Sequence, residues 1–127
     1  MSQNTPSLSY QREWLGEFWS DDFVNLTFSP PSRWIAIVEQ VYDNEDANLE
    51  EAVVCNAKIG IALHDAAIAC WNSKFHYNIE RPESYIKRLI DPTWEPNLDN
   101  PYSGEQGISP SFPGYPSGHA TFASSSA

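Results

Sequence analysis

The sequence predicts an all-α fold: a truncated helical bundle with a long Pro- and Gly-rich loop before the last helix. Three observations predict it. Apolar residues recur at helical spacing, no segment alternates in the manner of a strand, and helix-start residues precede the apolar runs. The 127 residues suit a single domain. A chain of this size buries roughly two-thirds of its unfolded surface, enough for a core.

Residues 1–9 read as a polar tail. In residues 10–19, Trp14, Leu15, Phe18 and Trp19 carry the spacing of a first helix. Ser29-Pro30-Pro31-Ser32 then punctuates the chain. Proline is tolerated in a first helical turn, where its missing N–H had no partner. A second helix is therefore expected over residues 31–41, with Trp34, Ile37, Val38 and Val41 on one face and the polar residues 43–46 ending it. Asn48 is an N-cap candidate, and Glu50 and Glu51 suit the positive end of a helix. The helix it starts, residues 48–72, is Ala-rich and apolar nearly all round, so the middle of a bundle is its expected place.

Pro82 opens a short helix over residues 82–90. Residues 91–116 differ: they hold Pro92, Pro96, Pro101, Pro110, Pro113 and Pro116, with Gly104, Gly107 and Gly114. A loop this long in a compact domain is functional or disordered. Trp94, Tyr102, Phe112 and Tyr115 favour an ordered loop packed over a site. Ser117 is the N-cap candidate of a final helix, residues 117–127, which Ala120, Phe122, Ala123 and Ala127 propagate. No Gly, Pro or basic residue closes it, so residues 1–127 are expected to form a single partial domain, incomplete at the C-terminus.

Seven basic residues stand against seventeen acidic ones, a net charge of −10. That argues against nucleic acid, whose phosphates need a basic surface. An anion site here would be a local exception to the surrounding field. Cys55 and Cys70 fall on one predicted helix, roughly 22 Å apart at the helical rise, too far for a disulfide. Both are expected to be small buried side chains. The first residues lack the apolar core of a signal peptide, which leaves the cellular compartment open. No run of eighteen apolar residues occurs, and the most apolar stretch, residues 59–71, contains His64 and Asp65, so no membrane span is expected.

Two clusters can carry chemistry. The first, residues 74–82, closes the apolar helix and opens the next with Lys74 and Arg81. An ammonium and a planar fork of donors suit the oxygens of a tetrahedral anion. The alternative is that Lys74 meets the helix C-terminus and Arg81 pairs with Glu80 or Glu83. The second cluster is Tyr115-Pro116-Ser117-Gly118-His119. Gly118 can present its N–H without side-chain obstruction, the Ser117 hydroxyl can donate, and a helix start favours an anion. His119 adds an imidazole able to exchange protons near neutral pH. An ordinary Ser-capped helix after a Pro-rich loop is the alternative.

Together, Lys74 with Arg81-Pro82 and, downstream, Pro116-Ser117-Gly118-His119 resemble the first two signature elements of the vanadium-dependent haloperoxidase and type-two phosphatidic acid phosphatase superfamily. Residues 18–23, 27–31 and 115–122 resemble bacterial haloperoxidase-like members. The resemblance implies that Lys74, Arg81, Ser117 and the Gly118 amide hold vanadate, or phosphate in an acid phosphatase, and that His119 is the acid-base residue. It implies small-molecule substrates: hydrogen peroxide and halide, or a phosphoester. Phe112 matches a position that lines the vanadate pocket, and Trp71 is a candidate for the same wall or for the core. The third element of the superfamily supplies another Arg and a His, and only eight residues follow His119. A missing C-terminal segment or a second chain is therefore expected to complete the site. The non-enzymatic alternative is an inactive fragment or an interaction module. His64-Asp65 is similar to the metal-binding pair of HD-type phosphohydrolases, but a mid-helix polar pair bonded to neighbouring helices fits it better, and no protein-held metal ion is expected.

Overall fold

The computed structural model describes residues 11, 14–16, 18–20, 28–100 and 102–127. Among these residues there is no strand, and four helices lie wholly within them. They are α1 (Pro30–Asn44), α2 (Leu49–Tyr77), α3 (Pro82–Leu89) and α4 (Gly118–Ser126). Trp14, Leu15, Gly16 and Phe18 are helical too, at the place of the first predicted helix. The polar tail, residues 1–9, lies outside the described residues.

Helix α1 begins with Pro30 behind an extended Ser29 and runs on to Asn44. Asp46, in the left-handed region at φ 50°, makes the break that follows. The Tyr42 hydroxyl donates to the Ala52 carbonyl at 3.2 Å, fastening the end of α1 to α2. Burial, and then the Cys55 thiol beside it, push this phenol up to about 12. Helix α2 starts with a reciprocal cap: Asn48 Oδ1 accepts from the Glu51 N–H, and Glu51 Oε2 accepts from the Asn48 N–H, both at 3.1 Å.

Helix α2 reaches Tyr77 rather than residue 72, because nothing between Ser73 and Tyr77 breaks it. Asn78 ends it in the left-handed conformation, φ 45°, and its N–H donates to the Lys74 carbonyl. The expectation of a helix buried all round is corrected. Leu63, Cys70 and Lys74 point inward, while Val54, Ile61, Ile68 and Phe75 are exposed. The last four repeat every seventh residue, so they share one side of the helix, opposite the buried set. By length and composition alone α2 could cross a bilayer. Lys58, His64 and Asp65 lie along it, however, and such groups are costly in hydrocarbon. His64 and Asp65 are exposed rather than bonded into neighbouring helices, a second correction.

Helix α4 packs against α2, and α1 packs against both. Val38 from α1, Leu63 and Cys70 from α2 and Phe122 from α4 form the buried apolar core. The cysteines are both free; Cys70 is buried as expected, whereas Cys55 is only half-buried. On α3, Lys87 pairs with Glu83 at 2.9 Å and Glu95 at 2.8 Å, and Arg88 pairs with Glu80 at 2.6 Å. The loop beyond is ordered by its own hydrogen bonds: Ile108 N–H to the Leu98 carbonyl, Asn100 N–H to Glu105, and Gly107 N–H to Asp99 Oδ1. Gly107 sits at φ 67° against Glu95, and a Cβ there would collide with that carboxylate.

Two outcomes follow from these contacts. Asn48→Ala removes one half of the α2 cap and should lower stability by about 1 kcal/mol, read as a lower Tm in a thermal helix melt. Hydrogen bonds from Arg88 and Lys87 hold the Glu80 and Glu83 carboxyls below their usual value of 4.5. The stability these pairs add is present above that value and is lost as the pH falls through the lowered ones. A Glu80→Gln, Glu83→Gln double variant should therefore show a flatter fall of Tm with acidification than the parent chain.

Candidate functional site

The residues singled out in the two sequence clusters meet at one cavity of about 170 Å³. Its lining includes Trp71 and Lys74 from the last turns of α2, Arg81 at the N-cap of α3, Phe112 from the loop, and Ser117, Gly118 and His119 at the start of α4. Pro30, Pro110, Gly114 and Phe122 complete it.

Helix α2 carries Trp71 and Lys74 on neighbouring turns, so both reach the same side. Lys74 is 2% exposed. Its Nζ donates to the Pro113 carbonyl at 2.8 Å and lies 4.9 Å from the centre of the Phe112 ring and 5.8 Å from that of Trp71. A buried ammonium is costly unless its charge is met. The carbonyl and the ring faces supply partial negative charge, and an oxyanion in the adjoining cavity would supply a formal one.

Arg81 follows the left-handed turn at Asn78 and caps α3 in extended conformation. Its Nε donates to the Phe112 carbonyl, and its guanidinium carbon lies 4.7 Å from the centre of the Phe112 ring. Lys74 turns toward the loop rather than the carbonyls ending its own helix. Glu80 is engaged by Arg88 and Glu83 by Lys87, with the Arg81 charge adding to the lowering of the Glu83 carboxyl.

Residues 110–114 are pinned to the corner between α2 and α3 by the Gly114 N–H, which donates to the Ile79 carbonyl at 2.9 Å. The Tyr115–Pro116 bond is cis. Ser117 caps α4, its Oγ accepting from the Ala120 N–H at 3.3 Å. That bond uses an acceptor site of the hydroxyl and leaves its proton to be donated. Gly118 is the first residue of α4, where an N–H has no partner within the helix. A Cβ at Gly118 would stand 3.3 Å from the Trp71 ring, so glycine is what lets the helix start approach this wall. The Trp71 ring lies 5.2 Å from Phe112 and 6.1 Å from Phe122, serving wall and core at once.

The donors here are of the kind that suits a tetrahedral oxyanion. Two cations, a hydroxyl and a helix N-terminus converge, and an imidazole able to transfer protons lies beside them. Among the described residues, no group of three His, Cys, Asp or Glu side chains could hold a metal ion directly. His64 and His76 are exposed on α2 and do not line the cavity, and Asp65 stands on the side of the helix away from Arg81. Among the described residues, the loop reaches the cavity through Pro110, Phe112 and Gly114, a smaller part of it than a loop packed over the site along its whole length would supply. Sequence reasoning missed Pro30 and Phe122. Pro30 belongs to the stretch that carried the resemblance, and Phe122 falls one turn after Gly118, on the same face of α4.

Comparison with known proteins gives three findings. Residues 55–127 match the family model of the VCPO second helical-bundle domain. The chain is 33% identical over 124 residues to the vanadium chloroperoxidase of Curvularia inaequalis, which covers 84% of this chain and 20% of that protein. It also superposes on the crystal structure of a bacterial vanadium-dependent iodoperoxidase with a TM-score of 0.77 and 28% identity, covering 91% of this chain and 26% of that one. The chain thus spans a fifth to a quarter of the length of these relatives.

Gly118→Ala should press on Trp71 and, through it, on Phe112. Phosphate titration by calorimetry should then show weaker binding by about threefold or more, equivalent to a fraction of a kcal/mol. The helical signal should be unchanged, since Ala propagates a helix better than Gly.

Proposed function

The chain belongs to the vanadium haloperoxidase family, and on that premise we propose that its cavity binds vanadate and forms part of an enzyme that oxidises halide with hydrogen peroxide. The observation that carries this reading is Lys74, a buried cation turned toward a cavity that Arg81, Ser117 and Gly118 also line. These donors fit the group: they are cationic or N–H and O–H donors, with no carboxylate among the described residues that line the cavity.

In this reading Lys74 and Arg81 would hold the oxygens of vanadate by charge, and the Ser117 hydroxyl and Gly118 N–H would add hydrogen bonds at the positive end of α4. When bound, vanadate supplies the Lewis acidity that activates hydrogen peroxide toward two-electron oxidation of a halide. His119, beside these donors, would accept and give back a proton at its imidazole ring. Trp71 and Phe112 keep the wall apolar, which strengthens every charge interaction inside it. A complete site takes a further Arg and His that the resemblance calls for and these 127 residues do not provide, so more polypeptide or a second chain would contribute them. Phosphate satisfies the same donors, which keeps hydrolysis of phosphomonoesters as the second activity to assay.

The test is a vanadate titration of the native polypeptide followed by vanadium NMR, with halogenation of an activated phenol as the activity readout. Vanadate should bind, and Lys74→Met and Arg81→Met should each weaken it about tenfold or more, the worth of one hydrogen bond to a charged group. His119→Ala should reduce turnover by about a hundredfold while leaving the thermal melt of the helices in place. A parent protein with no vanadate affinity, or one that binds equally well after both cation replacements, refutes the reading. Phosphomonoester hydrolysis without halide oxidation would replace it by the phosphatase.

A further inference from the structure

The aromatic residues ahead of α1 meet the site at one place the two motifs do not reveal. The Trp19 and His119 rings stand edge to face, 6.3 Å between centres and 89° between planes. His119 lines the cavity and Trp19 does not, so the indole meets the imidazole from outside the cavity. Trp19 is about half exposed, which sets it between His119 and solvent.

Trp19 is in turn held from α1. The Arg33 guanidinium lies 4.8 Å from the centre of the Phe18 ring and 5.2 Å from that of Trp19, and it donates to the Phe18 carbonyl at 2.9 Å. Phe18 packs edge-on to Trp19 and stacks on Trp14. A planar cation stacked on two rings and bonded to the backbone between them fixes that segment against α1. The first residue of α1, Pro30, itself lines the cavity. One arginine therefore ties the indole to the same rigid element that forms part of the wall.

We propose that Trp19, braced by Arg33, is a positioning residue for His119: it fixes the plane of the imidazole and screens it from bulk water. This rests on the reading of His119 as the proton-transfer group of the cavity. The plane of an imidazole near the start of a short helix is set by the groups packed on it. Displacement of a reacting group by about 1 Å can cost a hundredfold in rate.

The test uses histidine-labelled native polypeptide. With three histidines in the sequence, His119→Gln assigns its ring-proton resonance by difference. Trp19→Ala should move that resonance by loss of the indole ring current, leaving those of His64 and His76 in place. Trp19→Phe should keep most of the parent shift. Arg33→Leu, which retains the indole without its brace, should move the His119 resonance in the same direction by less. In turnover with vanadate, Trp19→Ala should lower kcat about tenfold with vanadate affinity changed by less than about threefold, and Trp19→Phe should restore most of it. A His119 resonance unmoved in Trp19→Ala or in Arg33→Leu overturns the proposal, as does an equal loss of kcat and vanadate affinity. If Trp19→Ala loses helical signal, Arg33→Leu and Trp19→Phe decide alone. A parent protein that fails to bind vanadate refutes the reading of the cavity instead, and the resonance shifts still decide whether Trp19 positions the imidazole.

Discussion

Two cations sit on one aromatic ring, and the backbone of that ring's own segment holds them there. Lys74 and Arg81 both approach the face of Phe112, and the carbonyls of Phe112 and Pro113 accept from them in turn. Like charges brought together repel, more so away from water. The carbonyl dipoles and the ring quadrupole offset that repulsion, and they do so before any ligand arrives. The rest of the cavity depends on this constraint. Residues 110–114 must lie against the α2–α3 corner for the carbonyls to be in reach, and the Gly114 bond to Ile79 keeps them there.

Backbone dipoles reinforce the same sign. Helices α3 and α4 both start at residues that line the cavity, the first at its N-cap Arg81 and the second at Ser117 and Gly118. Each start contributes the equivalent of a partial positive charge. In a chain of net charge −10 the field inside the pocket is thus inverted against the field of the whole. Close by in the chain, Glu80 and Glu83 are bound to Arg88 and Lys87. Those surface pairs add little stability by themselves, but they engage two acidic groups that flank Arg81 in sequence.

Much of this was legible in the residues. Asn48 and Ser117 announced their helices because a short polar side chain can satisfy an N–H that the helix leaves open, and both do so. Pro31 and Pro82 marked helix starts for the complementary reason, the first of them one residue inside the helix that begins at Pro30. The convergence of Lys74, Arg81 and Ser117 to His119 on one cavity followed from motif order. What stayed hidden needed tertiary knowledge. The end of α2 was misplaced because a helix ends where a breaker or a cap ends it, no breaker stands between Ser73 and Tyr77, and Asn78 is a weak stop signal. The composition of α2 suggested burial on every side, yet composition cannot say which neighbours are present to cover Val54, Ile61, Ile68 and Phe75. Trp19 and Arg33 carry no spacing relation to His119; only the packing of α1 against α4 brings them near.

The long loop divides into a part that touches the cavity and a part that does not. Residues 98–108 close on themselves through the Leu98 to Ile108 and Asn100 to Glu105 bonds, with Tyr102 and Gly104 exposed at the tip. The stretch acts as a self-contained spacer whose mouth is sealed before residue 110 begins the pocket wall. Evolution can therefore rewrite, lengthen or decorate that tip while the cavity keeps its shape. Relatives that share the cavity would be free to diverge most at this spacer, and a peptide tag inserted there would report on the protein from a site away from the pocket wall.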